Sequence, residues 1–246
     1  MKTIFFTLLL AALPAAGFAS SEGVALDHVK VDLSNRDSLQ RGARIFVNYC
    51  LSCHSASYMR YHRMGQDLGI SDELVKENLL FAADKVGDLM KAVMPKEDAK
   101  AWFGAAPPDL SVVARSRGPD WFYTYMRSFY RDSNSPTGWN NRVLQNVSMP
   151  HVLYEWQGEQ RAIFETATDE HGAEHKVLKG FEIENAGTMT REDFDRAMRD
   201  LTNFIVYLGE PARLVRYGIG AWTILFLIVF TIVAFLMKKE YWKDVH

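Results

Sequence analysis

A mainly α-helical head, held outside a membrane by one C-terminal helix, is the architecture that three features of this 246-residue chain predict. The first is the start of the chain, where Lys2 precedes a short apolar run, Ile4 to Leu13, and Gly17-Phe18-Ala19 follows Pro14. One positive charge, a short apolar run and small residues at the cleavage positions make a secretory signal, cut after Ala19 and too short to span a bilayer. The second is Tyr217 to Met237, a stretch without a charged residue. As a helix it rises ~1.5 Å per residue and reaches about 30 Å, the thickness of a bilayer's hydrocarbon core. The third is the apolar spacing between them, which follows the helical period in most segments. The expected plan is a signal at 1–19, an extracytoplasmic domain at 20–212, a transmembrane anchor at 213–240 and a short cytoplasmic tail at 241–246.

The elements follow in order. Ser20 to Asn35 is polar and reads as an extended arm. A first helix begins near Asp37 or Ser38, either of which can cap it. Leu39, Ala43, Phe46, Val47 and Cys50 line one face of it. Ser71 to Met94 reads as helix, either one continuous helix or, because Gly87 weakens it, two shorter ones. Met94 to Pro108 is a loop with helical interruptions, closed by Pro107-Pro108-Asp109-Leu110-Ser111. Asp109 or Ser111 can cap the next helix, and the two prolines make a rigid wall suited to a flat apolar ligand. Asp120 to Tyr130 is a helix rich in aromatic residues. Ser133 to Asn141 is turn-forming, and Gln160 to Glu184 carries short β-like runs around Asp169-Glu170-His171-Gly172, a hairpin-like surface excursion. Thr190 opens the last helix of the head with a capping box, and Gly209 with Pro211 ends it.

Cys50-Leu51-Ser52-Cys53-His54 carries the chemistry. Two thiols three residues apart, followed by a histidine, read as a site of covalent c-type haem attachment. On one helical turn the sulfurs reach both vinyl groups of one porphyrin, and His54 becomes the proximal ligand of its iron. Redox dithiols and half of a zinc site share the bare C-x-x-C spacing. The adjoining histidine, and the lack of any third cysteine, favour haem. Over Ser20–Ala212 acidic side chains outnumber basic ones by six, a field that can steer a basic partner.

An iron that carries electrons needs a second axial ligand, and methionine raises its potential. Met90, Met126 and Met198 fall on expected helices, where core packing is the default. Met94 and Met149, each followed by proline, and Met189 remain as loop alternatives. The residues alone leave that choice open.

The whole pattern resembles the cytochrome c1 family, the haem subunits of ubiquinol–cytochrome c reductase. The resemblance runs through Gln40-Arg41-Gly42, Cys50 to His54, Ala106 to Ser111 with Arg115 and Arg117, Gly138-Trp139-Asn140, Met149-Pro150, Gly187-Thr188-Met189, Glu210-Pro211 and the C-terminal span. It implies a class I c-type cytochrome-like haem domain with a small β excursion, plus one C-terminal transmembrane helix. It also implies one covalent haem c with Cys50 and Cys53 as thioether links, and His54 and Met149 as iron ligands. Arg117 then pairs with a haem propionate, Pro107 and Pro108 flank the porphyrin, and Trp121 falls where relatives carry an aromatic near the haem edge. The implied partners are cytochrome b and the Rieske iron–sulfur protein within the complex, a soluble or membrane-anchored cytochrome c as acceptor, and the membrane. No nucleic acid is expected, and the whole complex is a dimer by family analogy. The location implied is the bacterial inner membrane, with the haem domain periplasmic and the C-terminus cytoplasmic. The chain alone then transfers electrons and makes no bond in a substrate. Rivals are another membrane-anchored monohaem cytochrome, of an oxidase or a nitric oxide reductase, and a membrane-tethered dithiol oxidoreductase using Cys50 and Cys53.

Overall fold

The computed structural model describes residues 24–168 and 174–244; the expected signal at 1–19 and the Asp169-Glu170-His171-Gly172 run of the expected excursion lie outside them. About half of the described chain is helical, with three small two-stranded antiparallel sheets and one long C-terminal helix. The single β excursion expected is thus one of three strand pairs.

Helix α1 (Arg36–Ile45) starts from Asn35, whose side chain accepts the Ser38 N–H at 3.0 Å. The cap is therefore Asn35 and not Asp37 or Ser38, which frees the Ser38 hydroxyl for the interior. Leu39, Ala43, Phe46, Val47 and Cys50 are all buried, as their spacing predicts. The α-helix does not run unbroken to Cys50. Its last turn, Phe46–Cys50, widens to π geometry, and the Leu51 N–H donates to the Phe46 carbonyl at 2.9 Å. Widened turns of this kind concentrate at functional sites.

Next come β1 (Ala56–Arg60), α2 (Tyr61–Leu68) and α3 (Asp72–Asn78), the last capped by the Ser71 hydroxyl. The helix expected to reach Met94 stops at Asn78 because the backbone beyond it serves distant partners. His62 N–H donates to Val86 O at 2.7 Å, Tyr61 N–H to Asp88 O at 3.3 Å, and Met94 N–H to Ser52 O at 3.2 Å. Leu89–Met90 forms β2, antiparallel to β1. Helices α4 (Lys96–Phe103), α5 (Val113–Ser116) and α6 (Pro119–Arg127) follow. Helix α6 ends at Arg127, short of the expected Tyr130, because Phe129–Arg131 is recruited as β3 against β4 (Trp139–Asn141). A short α7 (Tyr154–Gln157) leads into a hairpin of β5 (Gly158–Thr168) and β6 (Glu174–Ala186), longer than the β-like runs suggested.

Helix α8 (Arg191–Gly209) is capped by Thr190, as expected, and buries Phe194, Met198, Leu201, Ile205 and Leu208. It crosses α1 at Gly42, where an added Cβ would sit 2.2 Å from the Asp200 carbonyl oxygen and 2.7 Å from Phe204 Cβ. Beside that crossing the Ser38 hydroxyl and the Arg41 Nε each donate to the Asp200 carboxylate at 2.6 Å. Asn203 donates to Ser38 Oγ at 2.8 Å and accepts the Asp32 N–H at 3.1 Å. A buried polar network in which donors and acceptors are matched fixes the two helices in one register instead of penalising their contact. Helix α9 (Arg213–Tyr241) contains the whole uncharged stretch; its most apolar part has a mean hydropathy of 2.6, and none of it is buried. It is long and apolar enough to cross a membrane.

Candidate functional site

The π turn delivers the thiols. Cys53 N–H and His54 N–H both donate to the Cys50 carbonyl, at 3.1 and 2.7 Å, so the motif is one tight turn. No disulfide joins the two cysteines; Cys50 is buried and Cys53 half-buried. Burial, with some help from Cys53, pushes the Cys50 thiol up to about 12. A dithiol oxidoreductase needs the opposite, a thiol whose pKa is lowered so that the thiolate is available.

Pro108 fixes the imidazole. His54 Nδ1 lies 2.8 Å from the Pro108 carbonyl oxygen, so the ring donates there and leaves Nε2 as the lone-pair nitrogen. Such an outer hydrogen bond sets tautomer and ring orientation for a ligating histidine. Burial lowers the pKa of His54 despite this bond, which favours the neutral ring. Asp109 and Ser111 do not cap the following helix. They lace the Pro-Pro segment to the attachment turn instead. The Asp109 carboxylate accepts the N–H groups of Ser57 (3.0 Å) and Ser111 (2.8 Å), and Ser111 Oγ accepts the Tyr58 N–H at 3.1 Å. Leu110 N–H donates to Ser55 O at 2.8 Å.

The same segment continues through α5 into a second group of residues. Arg115 is committed to Glu210 at 3.4 Å, whereas Arg117 has no carboxylate partner among the described residues and is exposed. Its guanidinium lies over the Trp121 ring, 5.4 Å from the centroid. Trp121 stacks on Tyr125 at 5.0 Å with 9° between the planes, and the Tyr125 hydroxyl donates to Met149 Sδ at 3.3 Å. Guanidinium, indole, phenol and thioether thus form one unbroken line along α6. Pro107 is half-buried at the start of the segment that joins this line to His54, and Pro108 is exposed there.

The three methionine alternatives separate. Met94 is tied by its own N–H to Ser52, inside the attachment turn, so its backbone lies on the His54 side. Met189 N–H donates to Trp156 O, and Trp156 packs edge-on against Tyr49 of the π turn at 4.6 Å. Met149 alone of the three joins the aromatic line.

Residues without an earlier chemical reading build the Met149 loop. Asn140 Oδ1 accepts the N–H groups of Asn141 and Asn146, both at 2.9 Å, and Asn141 Oδ1 accepts that of Val143 at 2.8 Å. Asn141 Nδ2 donates to the Tyr125 carbonyl at 2.8 Å, fastening the loop to α6. The Trp139-Asn140-Asn141 run was the available signal, since asparagines beside a turn commonly hydrogen-bond nearby backbone. His151 is buried and stacks flat on Phe129 at 4.9 Å, with no hydrogen-bond partner for either ring nitrogen among the described residues; burial holds its pKa down at about 4.

The donor set decides whether these residues suit a covalently held haem. They supply two unbridged thiols on one turn, an imidazole whose Nδ1 is engaged by Pro108, a thioether and a guanidinium with no carboxylate partner among the described residues, and all of them fit that group. Comparison with known proteins agrees. The model of the Cytochrome C1 family matches residues 29–245. The chain is 47% identical to cytochrome c1 of Allochromatium vinosum over 245 residues, covering 100% of this chain and 99% of that one. It is 44% identical to a Nitrosomonas europaea protein named ammonia monooxygenase gamma subunit, over 247 residues and 100% of both chains. Cytochrome c1 of Rhodospirillum rubrum is 26% identical over 268 residues, covering 96% of this chain and 94% of that one. With this match along its full length, the chain belongs to the cytochrome c1 family, the haem subunits of the bc1 electron-transport complex.

Proposed function

We propose that this chain carries electrons from the Rieske iron–sulfur protein, through a single haem c, to a soluble or membrane-anchored cytochrome c. The observation that carries this reading is the line from Arg117 to Met149, joined through Pro108 to the attachment turn. Cys50 and Cys53 would hold the haem by thioether bonds, and His54 and Met149 would be its axial ligands. When bound, the haem supplies a one-electron couple at its iron. The protein's own part is to hold the ligands so that little reorganises on electron transfer. Pro108 locks the imidazole, and the asparagine-built loop locks Met149.

Arg117 is the one arginine of the Arg115–Arg117 pair free to meet a propionate, and a planar fork donor suits a carboxylate. Arg117→Leu should lower the midpoint potential, because an uncompensated propionate stabilises the ferric state. The shift expected is about threefold to tenfold in the ferric-to-ferrous ratio, roughly 30–60 mV for one electron. A redox titration that finds no change would remove Arg117 from this role.

The remaining features complete the reading. The head, 20–212, follows a cleaved signal at 1–19 and takes a class I c-type cytochrome-like fold. It faces the periplasm of a bacterial inner membrane, the anchor at 213–240 lies beside cytochrome b, and the tail at 241–246 is cytoplasmic. The complex is a dimer. Affinity purification from detergent-solubilised membranes should recover cytochrome b and a Rieske protein. Recovery of ammonia monooxygenase subunits instead would assign the chain as the name of its Nitrosomonas relative does.

A further inference from the structure

We propose that the Tyr125 hydroxyl tunes the axial sulfur of Met149, a positioning role that rests on the reading of Met149 as the distal ligand. Tyr125 is almost fully buried, and its hydroxyl has one partner among the described residues, Met149 Sδ at 3.3 Å. A thioether is a weak acceptor, so a buried hydroxyl aimed at one, with no stronger partner, is an unusual commitment of a donor. The geometry holding it there is stiff. Trp121 stacks on one face of the phenol at 5.0 Å, and the Phe129 ring meets it edge-on at 5.0 Å. Asn141 holds the Tyr125 carbonyl at 2.8 Å, fixing the backbone of that turn of α6 to the strand that leads into the Met149 loop.

The consequence follows from donor chemistry. A thioether sulfur has two lone pairs, and one remains for Tyr125 when the other is given to a metal. A hydrogen bond on that second pair draws electron density off the sulfur and weakens it as a donor. The ferric state needs the donor more than the ferrous state does, so the bond favours the ferrous state and raises the potential. It also holds the sulfur at one angle, which limits reorganisation during electron transfer.

The test uses the assembled complex in native membranes. Tyr125→Phe removes one oxygen and leaves the ring stack in place. The expected result is an unchanged far-red charge-transfer band of methionine-ligated ferric haem, with the ferric-to-ferrous ratio at fixed ambient potential rising about two- to tenfold. A fluorinated tyrosine at position 125, a stronger donor of nearly the same shape, should move the ratio the other way. Because it keeps the hydroxyl, it tests the idea even if the phenylalanine variant assembles badly. A midpoint potential that moves with neither replacement while the band persists overturns the tuning role and leaves Met149 as ligand. A band that survives in Met149→Leu overturns the ligand assignment itself, and the tuning role with it.

Discussion

Met149→Leu is expected to leave the haem covalently attached while removing its distal sulfur and lowering the midpoint potential by roughly 0.2 V, within the ~0.8 V that axial ligands span. For one electron that is roughly a few thousandfold in equilibrium, since each tenfold corresponds to ~59 mV. Transfer from the Rieske protein then becomes uphill, and quinol oxidation by the complex should stall with the haem oxidised. Met94→Leu serves as the comparison. The Met94 backbone is bonded to Ser52 inside the attachment turn, so this variant should retain both potential and turnover. Redox titration of the two variants side by side decides the matter. The opposite pattern would place the distal ligand on the loop before Pro95.

Gly42→Ala is expected to be among the most damaging small substitutions in the head. Its methyl would fall 2.2 Å from the Asp200 carbonyl oxygen, which belongs to the α8 backbone and cannot rotate away. Helices α1 and α8 would have to part, and their separation would strain the Ser38, Arg41, Asp200 and Asn203 network. Overpacking of this kind costs about 1–3 kcal/mol where side chains can adjust, and more where backbone is struck. A fall of roughly 5–10 °C in the thermal midpoint of the head follows. Helix α1 also carries the attachment turn, so haem-stained protein in membranes should fall in parallel. Gly87→Ala is the control: no atom lies within 4 Å of its added methyl, and its effect should stay within about 0.5 kcal/mol.

The sequence was readable where local chemistry dominates and opaque where distant partners compete for the backbone. The spacing of Leu39, Ala43, Phe46, Val47 and Cys50 revealed the buried face of α1, because helical periodicity is a local property. The Thr190 cap and the uncharged run inside α9 were visible for the same reason. The end of α3 at Asn78 was not, because the carbonyls of Val86 and Asp88 accept from, and the Met94 N–H donates to, residues many positions earlier. The end of α6 was hidden likewise, since Phe129–Arg131 pairs with a strand on the far side of a turn.

The site divides in the same way. Cys50, Cys53 and His54 announce themselves by spacing, since one helical turn must present both sulfurs. Pro107 and Pro108 suggested a rigid wall. The structure adds that the Pro108 carbonyl orients His54, a role no spacing rule reveals. Asp109 and Ser111 had the composition of helix caps, and their side chains turned instead to Ser57 and Tyr58, on the strand leaving the attachment turn. Met149 was one of three alternatives from the residues alone; the family resemblance favours it, and it is the one of the three that meets the Tyr125 hydroxyl. Tyr125 itself was one aromatic among many on an expected helix. Only its hydroxyl's single partner among the described residues, Met149 Sδ, distinguishes it.

The function proposed for this chain rests on one haem held through two thioether bonds. Acid–acetone extraction of the purified complex, followed by an alkaline pyridine spectrum of this subunit, tests it most directly. The account predicts one haem per chain that resists extraction and shows the α-band position of saturated vinyl groups. A subunit stripped of haem by the extraction, or one whose two cysteines titrate as free thiols in the native complex, would contradict it.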